Sequence, residues 1–121
     1  MPKVKPEISD WFDCPDDPYK GKVQVRLPKP GEVESIRERT REMAIGQDSP
    51  VMRMSGTRAS VIVAAIKKWE NFFDAEDQPM RCTDANIKIM CNEAGFMDFI
   101  DECLAELEAR AKARSDAEVK N

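Results

Sequence analysis

The sequence contains no histidine, and this absence removes several common functional designs. Without an imidazole there is no Ser-His or Cys-His dyad, no histidine-ligated metal and no ordinary proton shuttle near neutral pH. Only 5 glycines occur, and they are scattered, so the chain carries neither a glycine-rich phosphate loop nor a GxxxxGK[ST] motif. We therefore expect a protein that is not an enzyme and that needs no cofactor.

Long apolar runs and an excess of basic residues are also missing. No stretch approaches the roughly 18 to 20 apolar residues that span a bilayer, and the first residues lead into no apolar signal core. Acidic residues outnumber basic ones by 23 to 19, which disfavours binding to the phosphates of nucleic acids. We expect a cytoplasmic, non-secreted protein whose partner is neither a membrane nor a nucleic acid.

The residues that could ligate a metal do not form a recognisable site. None of the four cysteines lies in a CxxC pair, so we expect reduced, half-buried thiols and no zinc. Two acidic clusters lack the glycine and the regular oxygen ligands of an EF-hand loop, which favours solvated turns over a calcium site. These clusters are Asp16 with Asp17, and Asp74 with Glu76 and Asp77.

The N-terminal region differs from the rest of the chain. Its first 30 residues hold six of the 8 prolines and an alternating apolar pattern, which predicts a β-hairpin with strands over residues 7–13 and 22–27. A two-stranded hairpin is only marginally stable alone, so its apolar face must pack on the helices or on another copy of the chain.

Helical periodicity dominates after the hairpin. The strongest pattern starts at Thr57, a predicted N-cap, and repeats apolar residues every three or four positions through Phe73. Residues 45–56 mix helix breakers with methionines and predict a mobile connection or a stretch that a partner orders. Thr83 and Gly95 are predicted to begin and end a short helix. The predicted helices cover about residues 31–44, 57–73, 83–94 and 96–114.

These elements predict a mainly α fold of the α+β class. We expect the hairpin to occupy residues 1–30 and the helices to form a compact four-helix domain over residues 31–114. A polar C-terminal tail over residues 115–121 is predicted to fray.

Aromatic residues and methionines are the candidates for binding another protein. Trp11 and Phe12 are neighbours on a strand and must face opposite ways, so at least one belongs to the core. The aromatic end of the 57–73 helix is predicted to be core, with Phe72 at its edge, and methionines offer adaptable apolar contacts. The candidate residues are Trp11, Phe12, Tyr19, Met52, Met54 and Phe72.

The order of these parts resembles the small tail assembly chaperones of long-tailed bacteriophages. The matching pieces are Val-Arg-Leu-Pro at residues 25–28, Glu-Arg-Thr-Arg at 38–41, Lys-Lys-Trp-Glu at 67–70, an acidic loop at 74–79 and a Cys-Thr helix start at 82–86. The similarity is closest over residues 69–99, where a tryptophan, an acidic loop, a proline, a Cys-Thr pair, a short helix and a phenylalanine follow one another.

The resemblance implies a mainly helical protein that uses no cofactor and associates with itself as a homo-oligomer. It also implies that the partner is the tape measure protein, a long, aggregation-prone client bound before the tail tube polymerises around it. For an amphipathic client helix, apolar grooves beside the helices at 57–73 and 96–114 are the expected docking surface.

Three other functions stay open at this point. A head-tail connector or other virion component would share the small size and the extended N-terminus, and it would form stable rings. A small regulatory adaptor is disfavoured because no helix-turn-helix with a basic recognition face stands out. An enzyme would need a cysteine whose thiol pKa is strongly lowered.

Overall fold

The computed structural model describes residues 6–43 and 50–119, and their side chains except at residues 41–43, 50–56 and 116–119. The described residues form an α+β fold with four helices and one three-stranded antiparallel sheet. None of these helices is both long enough and apolar enough to cross a bilayer. The elements are β1 (Ser9–Asp13), β2 (Lys22–Arg26), α1 (Pro30–Met43), α2 (Pro50–Ala65), β3 (Ile66–Glu70), α3 (Asp84–Met90) and α4 (Phe96–Val119).

The predicted hairpin is present as β1 and β2, and it packs within its own chain. Phe12 pairs with Val23 across the hairpin, so both side chains lie on the core face of the sheet. Trp11 pairs with Gln24 on the opposite face. The loop is closed by a hydrogen bond of 2.9 Å from the amide of Cys14 to the carbonyl of Gly21.

The predicted helix over residues 57–73 is wrong beyond Ala65, because the chain passes directly from α2 into β3. This strand pairs antiparallel with β2, which becomes the central strand of the sheet. A register shift between Gln24 and Val25 leaves an extra residue in β3, so Ile66 and Trp69 both point into the core. Their separation of three residues, which predicted a helix, is produced by a β-bulge.

Arg26 ties together the elements that meet where α2 ends. Its Nε donates a hydrogen bond of 2.9 Å to the carbonyl of Ala64, one of the last carbonyls of α2 that lacks a partner within the helix. Its two terminal nitrogens hold the carboxylate of Glu32, in the first turn of α1, at 2.9 and 2.6 Å. A single guanidinium therefore connects β2, α1 and the end of α2.

The start of α2 also differs from the prediction. The helix begins at Pro50, so at least residues 50–56 of the predicted mobile connection are helical, while residues 44–49 lie outside the described part. Proline at the first position of a helix loses no intrahelical hydrogen bond. Thr57 consequently lies inside α2, and its predicted role as N-cap is wrong.

The last two helices follow the prediction more closely. Thr83 caps α3 by accepting a hydrogen bond of 3.2 Å from the amide of Asn86, as predicted. This helix ends at Met90, with Cys91 as its C-cap, and Gly95 instead precedes α4 with a φ of 82°. The tail predicted to fray from residue 115 continues α4 as far as Val119.

The core lies between the sheet and α4. Val23 and Val25 of β2 face a stripe of α4 that recurs every three or four residues, and every one of these side chains is buried. α1 packs mainly on α2, and its buried Ile36 lies outside this main cluster. α2 also contacts α3 and α4, so the predicted compact helical domain is confirmed in part, with α2 as the helix that joins the others. The α4 stripe is Phe96, Ile100, Cys103 and Leu107.

Candidate protein-binding groove

A groove of about 470 Å³ opens where three connecting segments meet at one end of the molecule. Its walls come from the hairpin loop, from the residues after β3, and from the end of α3, the turn that follows it and the first turn of α4. Most of its lining side chains are aromatic or otherwise apolar. These are Cys14, Pro15, Tyr19, Phe72, Phe73, Met90, Ala94, Phe96 and Phe99.

Phe72 and Phe96 form the floor of the groove, and Trp69 packs against Phe72 in the core without lining the groove. Trp69 and Phe72 lie parallel, with ring centroids 4.3 Å apart and an interplanar angle of 2°. Phe96 meets the edge of Phe72 at 6.2 Å and 85°. The indole of Trp69 donates a hydrogen bond of 2.7 Å to the carbonyl of Met80, which satisfies its polar group. Each of these three rings therefore packs against another ring in the core.

The wall above this floor carries a second aromatic pair that is open to solvent. Tyr19 and Phe73 have ring centroids 5.2 Å apart with an interplanar angle of 46°. Tyr19 is 57% exposed and Phe73 is 37% exposed. Each side chain is a large apolar surface that the fold leaves only partly covered.

The hairpin loop holds Tyr19 in place through one carboxylate. The side chain of Asp17 accepts hydrogen bonds from the amide of Tyr19 at 3.0 Å and from the amide of Gly21 at 2.9 Å. The side-chain amide of Asn71 donates a bond of 3.1 Å to the carbonyl of Lys20, which joins this loop to the segment after β3. The position of Tyr19 is thus fixed by backbone contacts.

Gly21 allows the loop to approach the floor. A Cβ atom at this position would lie 2.7 Å from Oδ2 of Asp17, 3.3 Å from Sγ of Cys14 and 3.3 Å from the ring of Phe72. Real side chains do not tolerate the first of these distances. The close contact between the hairpin loop and the aromatic floor therefore depends on glycine.

The cysteines of the protein have raised thiol pKa values. Burial, with smaller effects from Asp17 and Asp13, raises the pKa of Cys14 to about 11. Burial is also the main cause that raises the pKa of Cys103 to about 12, and it raises the pKa of Cys82 and of Cys91. Cys14 therefore contributes an apolar, protonated surface to the groove near neutral pH.

The acidic clusters do not assemble into a metal site in the described part of the chain, where no three potential ligands come together. Asp74 instead organises a turn. One oxygen of its carboxylate accepts hydrogen bonds from the amides of Glu76 at 2.9 Å and of Gln78 at 3.0 Å. This geometry is that of an Asx turn.

The structure separates the six candidate residues. Tyr19 lies in the groove, and Trp11 is 39% exposed but on the other face of the sheet from Phe12. Phe12 is partly buried against the core and lies beneath the guanidinium of Arg110, 5.9 Å from its ring centroid. The side chains of Met52 and Met54 lie outside those that the structure describes.

Phe72 was predicted at the edge of the aromatic group, and that prediction is wrong because it is only 8% exposed. Its neighbour Phe73, predicted as core, takes the exposed position. The chain is extended at this point, so successive side chains face opposite ways. The sequence shows that two phenylalanines are adjacent at this point. The prediction of a helix here led to the wrong assignment of which of the two is exposed.

No protein-family model matches this chain, and neither does any curated protein or solved structure. The groove is therefore interpreted from its own geometry. A well-packed apolar floor beside an exposed aromatic pair can bury an apolar side chain of a partner, because aromatic surfaces offer large contact areas at low entropic cost.

Proposed function

We propose that this protein is a tail assembly chaperone of a long-tailed bacteriophage. In this role it binds the tape measure protein in the cytoplasm of the host and keeps that client soluble during tail assembly. The observation that carries the proposal is the exposed pair of Tyr19 and Phe73 beside an apolar floor. A holdase needs an accessible apolar surface of this kind on an otherwise charged body.

The segment that carries the sequence resemblance also supplies most of the groove. Residues 69–99 contribute the buried floor, the exposed Phe73 and the apolar side chains from the turn between α3 and α4. The resemblance and the groove are separate observations, one from residue order and the other from geometry. Their coincidence supports a binding role for this end of the molecule.

The chemistry of the groove suits the apolar side chains of an amphipathic helix. A helix that docks in a groove inserts apolar anchors from successive turns, and its polar face stays in water. The groove offers the rings of Phe72 and Phe96 below the anchors and those of Tyr19 and Phe73 beside them. A long client made of such helices presents many anchors, so several copies of the chaperone can bind along it.

The test is co-expression of this protein with the tape measure protein from the same genome, followed by pulldown and size-exclusion chromatography with light scattering. We expect the client to stay soluble only in the presence of the chaperone and to elute with several copies of it. The proposal fails if the client aggregates regardless. A stable ring of this protein alone, found also in purified virions, would support a connector instead.

Matched variants locate the binding surface in the same experiment. Phe73→Ala removes half of the exposed pair, and we expect the client to become insoluble. Ile89→Ala removes a large side chain that is 53% exposed and does not line the groove, so it should leave the client soluble. Equal effects of the two variants would place binding outside the groove.

A further inference from the structure

The rim of the groove is acidic. Four carboxylates line it together with the apolar side chains, and no lysine or arginine of the described residues does so. The N-terminus of α4 also reaches the groove at Phe96, but a helix end contributes only about half a positive charge. The carboxylates therefore dominate the potential at the rim. They belong to Asp17, Asp74, Asp77 and Glu93.

These carboxylates fall into two kinds. Those of Asp17 and Asp74 accept hydrogen bonds from backbone amides of their own loops and have a structural role. The carboxylates of Asp77 and Glu93 are exposed and have no hydrogen bond or ion pair with any residue that the structure describes. Both are thus available to a partner without breaking an existing contact.

We infer that the groove selects client helices in which lysine or arginine flanks the apolar anchor. This inference rests on the proposed function and adds the chemistry of the client segment to it. The apolar anchor would occupy the floor, and the cations would face Asp77 and Glu93 at the rim. Complementary charges of this kind raise the rate of encounter and disfavour acidic segments more than they add to affinity.

The experiment uses two labelled amphipathic peptides with the same apolar face, flanked by lysines in one peptide and by glutamates in the other. Binding to the full chain is measured by fluorescence anisotropy at low and high salt. We expect the lysine peptide to bind about tenfold more tightly at about 0.01 M salt. This difference should shrink at about 1 M salt, where the Debye length is about 3 Å.

The decisive variant is Asp77→Asn combined with Glu93→Gln, which removes both charges and keeps the side-chain shapes. Asparagine tolerates the positive φ of 60° found at residue 77. We expect the variant to lose most of the preference for the lysine peptide. Glu34→Gln with Glu38→Gln changes the net charge equally on α1, away from the groove, and should keep the preference.

The peptide-binding experiment tests the inferred charge preference and does not test the proposed function. The inference is overturned if both peptides bind equally, if neither binds, or if both pairs of substitutions reduce the preference alike. The proposed function is judged separately by the solubility of the co-expressed tape measure protein. A chaperone that keeps this client soluble but shows no charge preference would retain its function and lose only the inferred selectivity.

Discussion

Two groups of aromatic residues lie next to each other at the groove. One group is packed in the core and the other is exposed to solvent. Trp69, Phe72 and Phe96 are stacked in the core, whereas Tyr19 and Phe73 touch each other in solvent. Phe72 and Phe73 are adjacent in sequence, so one peptide step separates a residue that stabilises the fold from one that is free to bind. Exposure, and not residue type, therefore marks the candidate contact surface.

Removing the buried ring of Phe72 is expected to reduce the stability of the fold more than any other substitution considered. Phe72→Ala deletes a side chain that contacts two other rings, and we expect it to lower the free energy of unfolding by about 3 to 5 kcal/mol. Chemical denaturation measures this loss. A cost below about 1 kcal/mol would contradict a core role for this ring.

A smaller effect is expected when the hairpin loop is forced away from the floor. Gly21→Ala places a Cβ atom 2.7 Å from Oδ2 of Asp17 and should cost about 1 to 3 kcal/mol of stability. Gly31→Ala is the matched control, because a Cβ atom added there, in the first turn of α1, would have no atom within 4 Å apart from its chain neighbours and the nearby backbone of its own helix. That control should be neutral or slightly stabilising, since alanine favours helix. Equal losses from both substitutions would contradict the steric account.

The exposed ring should matter little to stability and much to binding. We expect Phe73→Ala to lower the free energy of unfolding by less than about 1 kcal/mol, because this ring is already partly solvated. The same variant should fail to keep the client soluble. A loss of stability as large as that of Phe72→Ala would remove the distinction between the two aromatic groups.

The smallest change in stability is expected from breaking the ion pair of Arg26 and Glu32, which lies away from both aromatic groups. The hydrogen bonds from Arg26, together with the hydrogen bond from the backbone amide of Lys29, lower the pKa of Glu32 from 4.5 to about 2. A lowered pKa stabilises the folded state above pH 4.5, and this contribution is lost as the pH falls towards 2. Because the Glu32 side chain is 38% exposed, solvent screening keeps the contribution at about 1 kcal/mol or less.

Denaturation as a function of pH tests this ion pair. Glu32→Gln should lower stability near neutral pH and show a weaker loss on acidification than the unmodified chain. Glu34→Gln, on the same helix, removes a carboxylate with no such pair among the described residues and should keep the original acid dependence. Identical pH profiles for Glu32→Gln and the unmodified chain would contradict the assignment.

The sequence predicted α4 well and missed β3. α4 was predicted correctly over most of its length, because its apolar stripe follows one period without interruption. β3 was missed because its bulge separates Ile66 from Trp69 by three residues, which imitates a helix. Whether such a segment pairs with β2 depends on contacts more than 40 residues away along the chain.

The candidate site was predicted only in part. Tyr19 was named as a candidate for an aromatic contact surface together with Trp11 and Phe12, and of these three only Tyr19 lines the groove. Phe73 was assigned to the core because the helical assignment of its segment put it on the apolar stripe. The acidic rim could not be predicted, because its members come from three separate segments that only the fold brings together.

Client binding in the groove can be tested by placing a photo-crosslinking phenylalanine analogue at position 73 and, as the matched control, at position 89. Both native side chains are exposed, but only Phe73 lines the groove. With the tape measure protein co-expressed, the account predicts a crosslinked adduct from position 73 and little from position 89. Adducts of equal yield from both positions, or from position 89 alone, would contradict a client site in the groove.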